Sequence, residues 1–116
     1  MQIEEFYCLQ GGNYDEVLSR LPREDLIKKY LKMFSDAKDF ARYRKAVETS
    51  DWRTAFEAIH NVKGNALNLG LVRLAASSGK VCEILRSGPP AENFGLADEL
   101  VTGDFDEVIN MISQID

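Results

Sequence analysis

The chain of 116 residues contains one histidine, one tryptophan, two cysteines and three prolines, and each scarcity removes a class of answer. Cys8 and Cys82 lie far apart and make no redox or zinc spacing, so both read as buried or half-buried thiols. A lone histidine cannot supply the three or four ligands that zinc takes. No glycine-rich phosphate loop with its lysine is present, which excludes a nucleotide-dependent kinase, and nothing resembles the nucleophile elbow of a hydrolase. No metal and no cofactor are therefore expected.

Other absences concern location and partners. No window reaches the length and apolarity of a membrane span, and the start Met1-Gln2-Ile3-Glu4-Glu5 is acidic where a signal peptide would be basic. A cytoplasmic protein is expected. Basic excess is missing too: 14 Lys and Arg against 19 Asp and Glu leave a net charge of −5 and a pI near 4.9. Nucleic acid and anionic membranes reward a basic face, so neither is expected as a partner. No run alternates with β-branched enrichment, and strands are not expected.

What remains is a succession of helical patterns. Ile3, Phe6, Tyr7 and Leu9 form a brief apolar set closed by Gly11-Gly12, a pair that favours a turn. Asn13 with Glu16 makes a capping-box pattern ahead of Tyr14, Val17, Leu18 and Leu21, which end at Pro22. Leu26, Ile27, Tyr30, Leu31 and Phe34 repeat the spacing to about Ser35 or Asp36, and Phe40, Tyr43, Ala46 and Val47 mark a weaker helix. Ser50 or Asp51 then caps a long helix whose core stripe is Ala55, Ile59, Val62 and Ala66. Beyond Gly70 come Leu71, Leu74, Ala75, Ser78, Val81, Cys82 and Leu85. After Pro89-Pro90, with Pro90 as a candidate first helical residue, Phe94, Ala97, Val101, Phe105, Val108 and Ile112 carry the last helix.

A chain of this length with 45% hydrophobic residues supports one hydrophobic core. The expected fold is all-α, a single domain over 1–116. Three long segments and the Leu26–Phe34 helix make an antiparallel four-helix bundle over about 23–116, with short helices over about 1–22 capping one end.

The single histidine lies off the core stripe. At ~100° per residue, His60 falls roughly 130° from the middle of that stripe, on the solvent side with Arg53, Glu57 and Gly64. Lys63 and Gly64 follow one turn later and flank the imidazole. A nucleophile, an ammonium that balances arriving negative charge, and a bare Cα that lets a partner approach together suit a phosphate carried on histidine. Gly64 costs ~1 kcal/mol against alanine in a helix interior; partner access is one reason for it and tight packing against a neighbouring helix the other. Lys63 also has a plainer reading, as a solvated lysine or the partner of a carboxylate, pairs that contribute little stability; the phosphate role is the favoured one. Phe56 and Leu67 fall on the shoulders of the helix, where they either rim the histidine as docking residues or tuck under the next helix.

The string His60-Asn61-Val62-Lys63-Gly64, closed by Leu69-Gly70, resembles the phosphorylation-site motif of histidine-containing phosphotransfer (HPt) domains of bacterial two-component phosphorelays. The resemblance extends to Leu9-Gln10-Gly11-Gly12-Asn13-Tyr14-Asp15-Glu16-Val17-Leu18-Ser19-Arg20-Leu21, which is similar to the lead-in of small stand-alone HPt proteins. Asn65 departs from the small residue often found after the glycine, but it lies about 140° around the helix from His60. The resemblance implies a phosphocarrier rather than an enzyme, with His60 as phosphoacceptor between aspartyl phosphates of receiver domains. It implies receiver domains of response regulators or hybrid kinases as partners, and a monomer. The rival from another class is a non-phosphorylated helical adaptor that binds a receiver or other signalling protein through the same face. A small helical enzyme with His60 as general base is a weaker rival, and it requires a deep pocket around that residue.

Overall fold

The structure, a computed structural model, describes residues 1–116. Seven helices follow one another: α1 (Ile3–Leu9), α2 (Tyr14–Arg20), α3 (Glu24–Asp36), α4 (Asp39–Glu48), α5 (Trp52–Asn68), α6 (Val72–Leu85) and α7 (Phe94–Ile112). The fold is all-α. No helix is long and apolar enough to cross a membrane.

Local chemistry sets where these helices start and stop. Asn13 Oδ1 accepts from the amides of Asp15 and Glu16 at 2.9 and 3.3 Å, capping α2 as its sequence demands. The Glu16 carboxylate holds Arg20 at 3.3 Å instead of reaching back to the cap, so only half of the capping box forms. Asp51 caps α5 by accepting from the Thr54 amide at 3.3 Å. Just before it, Ser50 is left-handed at φ 56°, and the Asp51 amide closes back on the Ala46 carbonyl at 2.8 Å. That closure ends α4 and lets α5 reverse direction at once.

The α5–α6 corner uses the same closure around Gly70, which has φ 70°, with Leu71 N–H donating to the Ala66 carbonyl at 2.9 Å. Here glycine is required twice over. A left-handed backbone disfavours a side chain, and a Cβ on Gly70 would stand 2.5 Å from Val17 Cγ2. The α1–α2 turn sits on this corner so closely that a Cβ on Gly12 would be 2.7 Å from the Gly70 carbonyl oxygen. Arg20 donates to the Asn68 carbonyl at 3.3 Å, so the first two helices close that end of the molecule.

Helices α4, α5, α6 and α7 lie side by side in chain order. Arg42 meets Glu57 at 3.4 Å and Asn61 meets Asp39 at 3.5 Å, a descending register that makes α4 and α5 antiparallel. Phe40 stacks on Phe105 with ring centroids 4.0 Å apart, and Tyr43 donates to Asp98 at 2.6 Å, which brings α4 against α7 in the same opposed sense. Buried apolar residues from all seven helices form one cluster, each large aliphatic side chain contributing about 1.5–3 kcal/mol on leaving water.

Three expectations need correction. Helix α3, expected to run as a long member of the bundle, touches α7 mainly where Phe34 meets Phe105 at 6.1 Å, whereas α4 runs along α5. The reason is that Phe40, Tyr43 and Ala46 form a wholly buried face on α4, despite its short length. Pro90 does not open α7, which begins at Phe94; the Phe94 amide bonds the Ala91 carbonyl in a turn at 3.2 Å, and its ring meets Trp52 edge-on. Cys82 is buried, but Cys8 is exposed, because Ile3, Phe6, Tyr7 and Gln10 take the inner face of α1 and its end.

Candidate functional site

The long helix α5 sorts its side chains by period. Ala55, Ala58, Ile59, Val62 and Ala66 are buried, and Arg53, Glu57, His60, Asn61 and Gly64 are exposed. Arg53 and Arg42 both reach Glu57, at 3.6 and 3.4 Å. Exposed pairs of this kind add little stability.

His60 lies parallel to Phe56, with ring centroids 5.9 Å apart and planes 11° from parallel. Phe56 is half-buried against the core, so a fixed apolar plate limits the rotamers of a mobile imidazole. The Arg86 guanidinium stands 5.8 Å from the Phe56 ring centroid and bonds Glu83 at 2.9 Å. The stack thus runs from the end of α6 through Phe56 to His60, and a cation over an exposed ring contributes about 0.5–1 kcal/mol.

Lys63 is half-buried and belongs to no ion pair. The outer end of its side chain, Cδ, Cε and Nζ, lies across α6 at Gly79. Burial pushes the thiol of Cys82 above its usual range, while the charges of Lys63 and then Arg86 act in the opposite direction. Both cations therefore border the same stretch of α6.

Gly64 faces open space: a Cβ built there finds no atom within 4 Å. Packing against another helix does not account for this glycine. Leu67, one turn on, is 54% exposed, so of the two apolar shoulder residues Phe56 is anchored and Leu67 is free. The main clefts lie elsewhere. One of 470 Å³ is lined by residues such as Tyr30, Met33, Phe34 and Asn68, a second of 280 Å³ borders the site face only at Leu67, and neither is lined by His60. No group of three His, Cys, Asp or Glu side chains converges to hold a metal.

Periodicity singles out His60, Lys63, Gly64, Phe56 and Leu67, which share one side of α5. It gives no sign of the neighbours that Lys63 and Phe56 meet, Gly79 in α6 and Arg86 just past its end. A glycine inside α6 is a usable signal because it costs about 1 kcal/mol against alanine; Arg86 carries none, since basic residues are ordinary at helix ends.

No curated protein and no solved structure matches the chain. A family model does: that of the Hpt domain aligns with residues 29–116, from within α3 to the last residue and across the whole His60 face, and the chain accordingly belongs to the Hpt domain family, the phosphotransfer modules of two-component relays.

Proposed function

We propose that the protein is a phosphocarrier that accepts a phosphoryl group on His60 from a receiver-domain aspartate and passes it to another receiver. The observation that carries this reading is the setting of the only histidine. It is exposed, stacked on Phe56 and followed by a glycine over which nothing lies. A rigid antiparallel four-helix bundle of α4 to α7, with residues about 1–22 as its cap, serves as the support.

The chemistry follows from what each partner brings. A neutral ring nitrogen of His60 attacks phosphorus in line as the bond from phosphorus to the aspartyl oxygen breaks, and that carboxylate leaves with the electron pair. The receiver supplies the metal ion and acidic site that organise the phosphoryl group. Lys63, with no carboxylate to neutralise it, balances the charge delivered to His60. Gly64 admits the receiver's active-site rim, with Phe56 and Leu67 as apolar contacts beside it. The reverse sequence, His60 to a second receiver aspartate, uses the same groups.

The test is to incubate the protein with a phosphorylated receiver and magnesium and assay for an acid-labile, base-stable phosphate. Label on His60 is expected. Stable binding of the receiver with no transfer would instead identify a non-phosphorylated adaptor.

A further inference from the structure

Gly79 lies in the middle of α6, where glycine is the least favourable residue after proline. A Cβ added there would have Lys63 for all three of its nearest neighbours: Cε at 3.6 Å, Cδ at 3.8 Å and Nζ at 3.9 Å. The contrast with Gly64, Gly95 and Gly103 is direct, since a Cβ at any of those positions meets nothing. The surface at Gly79 is therefore covered, at ordinary van der Waals distance, by the outer end of one lysine.

A lysine carries its charge on four rotatable carbons and loses considerable rotamer freedom when that charge is held in one place. We infer that Gly79 is a positioning residue for phosphotransfer: the bare backbone of α6 is the track on which the outer end of Lys63 lies, holding in one place the ammonium of the residue that follows His60 by one helical turn. The absence of any carboxylate partner for Lys63 fits this arrangement. Packing across Gly79 orients the ammonium without neutralising it, whereas an ion pair would do both. This inference rests on the reading of Lys63 as the cation that serves phospho-His60.

The space also grades the substitutions. An alanine methyl would sit in ordinary van der Waals contact with the stem, whereas a leucine side chain would need the volume that the stem occupies. Gly79→Ala should leave the ammonium in place, whereas Gly79→Leu should displace it.

The experiment measures the lifetime of phospho-His60 in the isolated, phosphorylated protein, where water attacks phosphorus, the bond to nitrogen breaks and no receiver takes part. Lys63→Ala, Gly79→Ala, Gly79→Leu and the double variant Lys63→Ala with Gly79→Leu are compared after thermal melts establish that they fold. Lifetimes should shorten from Gly79→Ala to Gly79→Leu. The double variant should stay within about twofold of Lys63→Ala alone, as expected when one residue acts only through the other. A lifetime unmoved by Lys63→Ala would overturn the lysine's phosphate role, and this inference with it. A lifetime sensitive to Lys63→Ala but unchanged in both Gly79 variants would overturn the positioning role alone. So would a double variant far worse than Lys63→Ala, and Gly79→Val, whose branched side chain also enters the volume of the lysine, keeps the comparison decisive should the leucine variant fail to fold.

Discussion

The imidazole of His60 and the ring of Phe56 lie nearly parallel, 5.9 Å between centroids, one helical turn apart on α5. The Phe56 ring is half-buried against the core and His60 is exposed, so the imidazole lies beside an apolar ring while remaining open to solvent. His60→Gln should abolish phosphate acceptance with little change in helicity or melting temperature, because an exposed substitution alters stability by about 0.5 kcal/mol or less. Phosphate retained on the glutamine variant would show that another residue is the acceptor.

Gly64 separates stability from access. With nothing near its would-be Cβ, Gly64→Ala should raise stability by up to ~1 kcal/mol through helix propensity. The larger Gly64→Leu should weaken receiver binding by covering the approach to His60. Denaturant melts run beside a receiver titration read both effects, and undiminished binding by the leucine variant would remove the access role.

At Gly70 the expectation reverses. A methyl group there is 2.5 Å from Val17 Cγ2 on a left-handed backbone, so Gly70→Ala should destabilise by about 1–3 kcal/mol through overpacking and strain. Urea unfolding midpoints of the two alanine variants should move in opposite directions from the parent.

Two buried tyrosines should also behave oppositely. The Tyr43 hydroxyl donates to Asp98 at 2.6 Å, whereas the Tyr7 hydroxyl is buried with no partner. Tyr43→Phe should cost about 1–3 kcal/mol by stranding Asp98, and Tyr7→Phe should be neutral or stabilising. Unfolding free energies of the two variants near pH 7 check this, and equal losses would contradict it.

Burial, above all, holds both phenols well above the usual tyrosine range, aided at Tyr43 by the bond to Asp98 and at Tyr7 by the nearby Tyr14. The unfolded chain ionises these groups near pH 10 while the folded chain keeps them neutral. Their stabilisation is thus complete below about pH 10 and is lost as pH rises beyond it. Urea titrations from pH 8 to pH 11 should show that fall, and it should be shallower in Tyr7→Phe.

Much of this was decided locally. The buried stripe of α5, the solvent side of His60, the caps at Asn13 and Asp51 and the break at Gly70 all follow from side-chain period and backbone chemistry within a few residues, which is why the sequence by itself determined an all-α chain with an exposed histidine. Only the tertiary structure decided which helix lies along α5, since that depends on the buried face of α4 and on the abrupt reversal at Ser50 and Asp51. It also decided what Lys63 touches. The track at Gly79, the stack from Arg86 through Phe56 to His60 and the contact of Gly12 with Gly70 each join residues distant in the sequence. Period assigns a side chain to a face of its own helix, but what lies against that face depends on how the chain folds back on itself, and no local pattern encodes it.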